Sequence, residues 1–213
     1  VKDAGFDMLL TANNHSYDTR LVGFQRTLDV IRGRGLKTLG TYLSADESKW
    51  MVQDINGINI GMMCYTYATG EAEPGRPSLN NNLEEMKQAG TEATILFIHW
   101  GVEYILEENQ TQNDMAQKLC DLGIDVIIGG HPHVVEPMAL LTSTKDENHK
   151  TACIYSLGNF VSNQRLGLIS SVKTAHTEDG LMVGINFAKY SDGTVVVERI
   201  DAMPLWVNMN KNH

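Results

Sequence analysis

Residues 125–133 read Asp125-Val126-Ile127-Ile128-Gly129-Gly130-His131-Pro132-His133. The apolar run from Asp125 to Gly129 predicts a buried strand, and Gly129-Gly130 would permit a sharp backbone turn after it. Pro132 fixes φ between the two imidazoles and limits how far they splay. Because histidine is the commonest side-chain ligand of catalytic transition metals, we interpret this turn as metal-binding. The alternative is a pair of loop histidines that hold no ligand.

Two other predicted strands end in a similar way. Thr11-Ala12-Asn13-Asn14-His15 follows the apolar run 6–10, and His99-Trp100-Gly101-Val102-Glu103 follows the apolar run 94–98. Loops at the ends of strands are the usual place for a binding site in layered α/β folds. Three strand ends that carry His, Asn or carboxylate groups therefore predict an active site.

The first of these clusters offers a metal ligand and a proton donor. The amide oxygen of Asn14 suits a divalent cation, and His15 could donate a proton to a leaving oxygen. Asp18 is interpreted as a capping or orienting group rather than as a ligand. Either Ser16 or Asp18 would be a suitable N-cap for the helix that follows.

The other clusters leave more alternatives open. His99 ends a strand, where it could complete a metal site or be a satisfied core histidine. Glu103 could orient a histidine, bind metal or bind substrate, or it could be a surface carboxylate, and it is taken as a candidate catalytic residue. Trp100 is predicted to pack as a wall, and Gly101 to let the backbone approach a substrate closely. A fourth strand ends near Asn159, which is predicted either to bind substrate or to hold a turn.

Composition disfavours several classes of function. The chain has 213 residues, of which 42% are hydrophobic, enough to build a sizeable core. Its 26 acidic and 17 basic residues give a formal charge of −9, which disfavours nucleic-acid binding. Gly-x-Ser-x-Gly, Walker and Gly-x-Gly-x-x-Gly motifs are absent from the sequence. The 3 cysteines have no zinc-knuckle spacing and are predicted to be inert core thiols.

The order of predicted elements favours an α/β fold in a single domain over residues 1–213. Strands and helices alternate as far as His133 and a run of strands follows, which suggests layered mixed sheets with helices outside. The tracts 69–79 and 142–150 are predicted loops, and His149 and His213 are expected to be exposed. The predicted strands are 6–11, 37–40, 51–55, 58–65, 94–99, 125–129, 135–141, 152–156, 181–188 and 194–203, and the predicted helices are 19–34, 83–89 and 112–122.

At these motifs the sequence resembles the CapA family of capsule and poly-γ-glutamate biosynthesis, a branch of the calcineurin-like metallophosphoesterase superfamily. The matching phrases occur in family order and span most of the chain. They are Ala12-Asn13-Asn14-His15 with Asp18, His99-Trp100-Gly101-Val102-Glu103-Tyr104, Gly130-His131-Pro132-His133 and Tyr155-Ser156-Leu157-Gly158-Asn159-Phe160.

The resemblance implies a two-metal hydrolytic site in a layered sandwich of mixed β-sheets flanked by helices. By analogy Asn14, His99 and His131 would bind one divalent metal ion and His133 the other. His15 would stabilise the leaving group or act as an acid. The metal would be manganese, iron or zinc, and the substrate an anionic polymer or a phosphoester, cleaved at a phosphoester or a γ-glutamyl amide.

The superfamily also uses Asp-x-His and Gly-Asp motifs that precede the first of these phrases, and neither occurs before Asn14 here. We therefore expect that an N-terminal part is missing from this sequence and that hydrolysis requires the full-length protein. The alternative function is a non-catalytic binding component of a polyglutamate synthesis or export complex. The resemblance implies a location at the extracellular face of the cell envelope, with a membrane-bound synthesis complex as a candidate partner.

Overall fold

The computed structural model describes residues 1–66 and 79–208. The chain falls into two compact units, Val1–His99 and Trp100–His213. His213 and all but the last residue of the predicted loop 69–79 lie outside the described residues.

The first unit contains parallel and antiparallel strand pairs with two α-helices and a 3-10 helix in its described residues. β1 pairs with β2 in parallel, β3 with β4 antiparallel, and β4 with β5 in parallel. Helix α1 packs against β2, and α2 packs against β3. The elements are a 3-10 helix (Lys2–Ala4), β1 (Met8–Leu10), α1 (Arg20–Gly33), β2 (Lys37–Leu39), β3 (Trp50–Ile55), β4 (Ile58–Thr66), α2 (Leu79–Gln88) and β5 (Ala93–His99).

Local sequence explains where these elements turn. Asn56 and Gly57 both have positive φ, at 54° and 86°, as a tight two-residue hairpin turn between β3 and β4 requires. Gly35 has a φ of 72° and donates its N–H to the carbonyl of Arg32, which ends α1. The predicted hairpin and helix end are both confirmed.

The second unit is built from one α-helix, one 3-10 helix and five strands in its described residues. Strand β8 pairs in parallel with β6 and antiparallel with β7, while β9 and β10 form a long antiparallel hairpin. Helix α3 packs against β7 and β8. Mixed pairing with helices against the sheets confirms the predicted α/β fold class. The elements are α3 (Gln110–Asp121), β6 (Val126–Gly130), β7 (Met138–Thr142), β8 (Lys150–Ile154), a 3-10 helix (Ala175–Glu178), β9 (Asp179–Lys189) and β10 (Val195–Trp206).

Several element boundaries differ from the sequence-based prediction, among them the starts of α2 and β7. Helix α2 begins at Leu79, earlier than the predicted residue 83. Strand β7 begins at Met138 rather than at Val135. Pro137, which precedes it, has no N–H to donate to the strand ladder. Only an isolated bridge joins Val135 to Leu157.

The polar tract after β7 is anchored rather than simply solvated. The carboxylate of Asp121 accepts hydrogen bonds from the backbone N–H of Thr144 at 2.7 Å and from its hydroxyl at 2.6 Å. His149 is half-buried, and its Nε2 lies 3.1 Å from the carbonyl oxygen of Ile124. The prediction that His149 is exposed was therefore wrong.

The cysteines lie in the core as predicted. Cys64, Cys120 and Cys153 are all buried and form no disulfide. Burial raises the pKa of Cys64 to about 12 and raises that of Cys153 beyond its ordinary range. Thiols held protonated in this way are poor nucleophiles. No helix among residues 1–66 and 79–208 has the length and apolar character needed to cross a membrane.

Candidate metal centre

In the first unit, the ends of two distant segments bring Asn14 and His99 together. His99 is the last residue of β5, and its Nε2 lies 2.9 Å from Oδ1 of Asn14. Asn13 holds this loop in shape because its Oδ1 accepts the backbone N–H of His15 at 2.8 Å. An imidazole nitrogen and an amide oxygen are thus adjacent, and both are groups that bind divalent metal ions.

His15 is exposed and is oriented by Asp18. The distance from Nδ1 of His15 to Oδ2 of Asp18 is 2.7 Å. A carboxylate in this position holds the imidazole and directs Nε2 outward, as a proton donor requires. Of the two roles predicted for Asp18, the structure favours orientation.

The predicted capping of α1 by Ser16 or Asp18 is wrong. The N-cap is Thr19, and its side chain makes no capping hydrogen bond. The hydroxyl of Ser16 instead donates to the carbonyl of Thr11 at 2.7 Å and accepts the backbone N–H of Asn13 at 2.9 Å. Ser16 therefore closes the loop that presents Asn14.

In the second unit, Glu103, His131 and His133 form the histidine–glutamate cluster. One ligand atom from each of these side chains lies within 4.8 Å of the others, and all three residues are half-buried. Oε1 of Glu103 is 3.9 Å from Nε2 of His133, and the two imidazole centroids are 6.2 Å apart. Two imidazoles and one carboxylate are a donor set that suits Mn, Fe or Zn, so the residues present fit a divalent metal.

The backbone around this cluster is unusual. His131 and His133 have positive φ values of 106° and 61°, and Tyr104 has a φ of 68°. These are three of the five non-glycine residues with positive φ in the described parts of the chain. Such conformations cost about 1–3 kcal/mol each and concentrate at functional sites.

Gly129 and Gly130 are the last two residues of β6, and the turn itself begins at His131. Neither glycine has positive φ, and the histidines themselves adopt the strained conformations. Gly129 is required for a different reason: a Cβ there would lie 1.9 Å from the carbonyl oxygen of Tyr155. Nothing lies within 4 Å of a Cβ added to Gly130.

Two residues hold the imidazole of His133. Nδ1 lies 3.0 Å from Oδ1 of Asn159, a residue that is 9% exposed. The ring of Tyr104 stacks against the imidazole at a centroid distance of 6.0 Å and an angle of 26°. The backbone N–H of Tyr104 donates to the carbonyl of Pro132 at 2.8 Å. Binding of substrate by Asn159 stays a prediction, and Tyr104 was not singled out from the sequence.

Trp100 packs as predicted, and Gly101 lies close to α3. Trp100 is 1% exposed, and its Nε1 donates to the carbonyl of Tyr155 at 2.8 Å. Gly101 has a φ of 86°, and a Cβ there would lie 2.8 Å from Nε2 of Gln112. Gly101 thus permits close packing against α3, and the approach of its backbone to a substrate stays a prediction.

A buried carboxyl supports the loop that carries Glu103. Gln112 and Asn109 form a capping box at the start of α3. Nε2 of Gln112 also donates to Oε2 of Glu136 at 2.7 Å. Glu136 is 2% exposed, and burial raises its pKa to about 7 although the Gln112 hydrogen bond opposes this. The negative charge of Glu108 adds to the rise.

We expect the Glu136 carboxyl to make stability fall as pH rises. The pKa is about 7 in the folded chain against an ordinary value of 4.5, so the folded state retains a proton that the unfolded state loses. The free energy of unfolding should therefore drop by about 2–3 kcal/mol between pH 5 and pH 8 through this group. Urea denaturation across that range should show a smaller drop for Glu136→Gln than for the wild type. Parallel pH profiles for the two proteins would contradict the assignment.

Structural comparison places the fold among phosphoesterase-like proteins. The Haemophilus influenzae NAD nucleotidase NadN aligns with a TM-score of 0.57 and 14% identity over 96% of this chain and 41% of that protein. A phosphatase from Mycoplasma pneumoniae aligns with a TM-score of 0.54 and 16% identity over 96% of this chain and 74% of that protein. At these identities the likeness concerns the fold alone.

Sequence comparison identifies the family. The Bacillus subtilis PGA biosynthesis protein CapA is 29% identical over 94% of this chain and 52% of its own length. The Bacillus anthracis capsule biosynthesis protein CapA is 29% identical over 77% of this chain and 42% of its own length. The chain thus spans about half the length of these relatives or less. A family model described as bacterial capsule synthesis protein PGA_cap matches residues 1–164. The chain belongs to this capsule synthesis family.

Proposed function

We propose that the full-length protein is a metal-dependent hydrolase of capsule or poly-γ-glutamate biosynthesis. The observation that carries the proposal is the histidine–glutamate cluster, in which Glu103, His131 and His133 converge within 4.8 Å. The strained φ values of both histidines support it, because a fold retains such strain where function uses it. The names of the two relatives supply the biosynthetic setting.

The donor groups support binding of manganese, iron or zinc. In the proposal His131 and His133 are ligands, and Glu103 is a ligand or the carboxylate that acts on substrate. Asn14 and His99 are further ligands, as the family resemblance implies. A bound divalent ion would supply Lewis acidity toward a phosphoester or a γ-glutamyl amide. The two-metal count and the identity of the metals are part of the proposal.

His15 is the proposed acid. Its contact with Asp18 fixes the ring while 65% of the side chain remains exposed, so that Nε2 is available to a leaving oxygen or nitrogen. Asn159 is retained as a candidate substrate contact. The proposed substrate is an anionic polymer or a phosphoester, and the proposed location is the extracellular face of the cell envelope, beside a membrane-bound synthesis complex.

The proposal is tested by a hydrolysis screen on the full-length protein. The protein is stripped with a chelator and reloaded with Mn²⁺, Fe²⁺ or Zn²⁺, and is then assayed on p-nitrophenyl phosphoesters and on γ-glutamyl p-nitroanilide. Metal-dependent release of p-nitrophenol supports the phosphoester reaction, and release of p-nitroaniline supports the γ-glutamyl reaction. Isolated poly-γ-glutamate is assayed as well. Metal binding without turnover of any of these substrates would contradict the proposed hydrolase activity and favour the non-catalytic binding component.

We expect His15→Gln to lower kcat by about 10²–10⁴-fold because a positioned general acid contributes about that much. Metal content should remain unchanged, since His15 is proposed as an acid and not as a ligand. Asp18→Asn should lower kcat less, because it weakens orientation while leaving the imidazole in place. Steady-state kinetics with metal analysis of each variant provides the measurement. A wild-type kcat for His15→Gln would remove the acid role.

A further inference from the structure

We propose that Asn159 is a positioning residue that selects which ring nitrogen of His133 is presented to Glu103 and His131. The inference deepens the proposed metal site and rests on it. It concerns the chain's own hydrogen bonds, which fix the tautomer of His133 before any metal is present.

The orientation of the Asn159 amide is dictated by two backbone carbonyls. Nδ2 lies 2.9 Å from the carbonyl oxygen of Thr177 and 3.2 Å from that of His133. A carbonyl oxygen accepts hydrogen bonds and cannot donate them, so the group that faces these two oxygens must be the NH₂. The amide oxygen therefore occupies the opposite position, toward the imidazole of His133.

The amide orientation in turn dictates the tautomer of His133. Oδ1 of Asn159 lies 3.0 Å from Nδ1 of His133 and can only accept a hydrogen bond. Nδ1 must then carry the proton. In the neutral imidazole this leaves the lone pair on Nε2, the atom that lies 3.9 Å from Oε1 of Glu103. A neutral nitrogen with a free lone pair is what a metal ligand requires.

The buried carbonyl that orients the Asn159 amide belongs to Thr177, which lies outside the part of the chain that the family model matches. Thr177 is fully buried in the 3-10 helix Ala175–Glu178, beyond the matched residues 1–164. Burial holds its carbonyl in place, and Asn159 carries that constraint to the ring of His133. Tyr104 adds a second restraint by stacking on the same ring. The segment around Thr177 therefore contributes to the site through Asn159.

The test measures the tautomer by ¹⁵N NMR of the histidine side chains in the metal-free, full-length protein. The His133 signals are assigned by their loss in His133→Gln. In the wild type we expect a protonated Nδ1 and an unprotonated Nε2.

Asn159→Ala should release the ring to a tautomer mixture and weaken Zn²⁺ and Mn²⁺ binding by about 10–100-fold, as for other groups that orient metal ligands. The exposed Asn148→Ala serves as the control and should change neither property.

The outcomes separate this inference from the proposed function. A wild-type His133 that carries its proton on Nε2 would overturn the inference even if metal binds tightly, and this result needs no variant to fold. Asn159→Ala with an unchanged tautomer and unchanged metal affinity would overturn it as well. A wild-type protein with a protonated Nδ1 that binds no metal would instead refute the proposed function and leave the tautomer assignment standing.

Discussion

Replacement of His131 by alanine in the full-length protein is expected to abolish metal-dependent turnover. His131 is one of three side chains whose ligand atoms converge within 4.8 Å. Removal of a direct ligand should lower metal affinity by more than about 100-fold, because the loss of a group that merely orients a ligand already costs about 10–100-fold. Isothermal titration with Mn²⁺ or Zn²⁺ measures the affinity, and the substrate screen measures turnover.

The control for this variant is His149→Ala. His149 lies in the same unit but outside the histidine–glutamate cluster, with its imidazole against the carbonyl of Ile124. We expect this variant to retain both metal binding and turnover, apart from a modest loss of stability. Unchanged turnover in His131→Ala, with protein that remains folded by circular dichroism, would remove His131 from the site.

Gly129→Ala is expected to destabilise the fold by about 3 kcal/mol or more. A Cβ at this position would lie 1.9 Å from the carbonyl oxygen of Tyr155 and 2.4 Å from Nε1 of Trp100. These two atoms are joined by a buried hydrogen bond of 2.8 Å. Overpacking costs about 1–3 kcal/mol, and the separation of a buried donor from its acceptor adds about 1–3 kcal/mol. Urea denaturation should show a lower transition midpoint.

Gly130→Ala is the matched control, since it adds the same methyl group one residue along the chain. No atom lies within 4 Å of a Cβ at Gly130. We expect the free energy of unfolding to change by less than about 1 kcal/mol. Equal destabilisation by the two substitutions would contradict the packing argument. A stable Gly129→Ala would show that β6 does not approach Trp100 and Tyr155 as described.

Local chemistry explains why much of the fold is predictable from the sequence. The hairpin at Asn56-Gly57 and the end of α1 at Gly35 follow from backbone conformations that few residues adopt. The start of β7 was misplaced because the apolar pattern continues through Val135, although Pro137 interrupts the hydrogen-bond ladder. The half-burial of His149 was missed because it depends on a contact with Ile124, which is 25 residues away.

Some features of the candidate site are likewise predictable from local sequence, whereas others depend on tertiary structure. Residue type and position at strand ends identified His131, His133 and Glu103, which the structure brings together. The pairing of Gln112 with Glu136 joins residues that are 24 apart, and no local pattern predicts it. The stacking of Tyr104 on His133 likewise depends on tertiary structure.

A further signal in the sequence marks the start of α3. Asn109 followed three residues later by Gln112 is a capping-box pattern, and the structure shows both of its hydrogen bonds. This pattern would have placed the start of α3 correctly. It would also have marked Gln112 as a residue with a defined orientation near the loop that carries Glu103.

The most direct test of the metal site is the metal content of the full-length protein after equilibrium dialysis against Mn²⁺, Fe²⁺ or Zn²⁺. We predict that each chain tightly binds about one divalent ion or more at saturation, as a site with these donor groups should. The double variant His131→Ala, His133→Ala should lose ion binding while its fold is retained. A folded wild-type protein that binds none of the three ions, or a double variant that binds as much as the wild type, would contradict the assignment of the histidine–glutamate cluster as a metal centre.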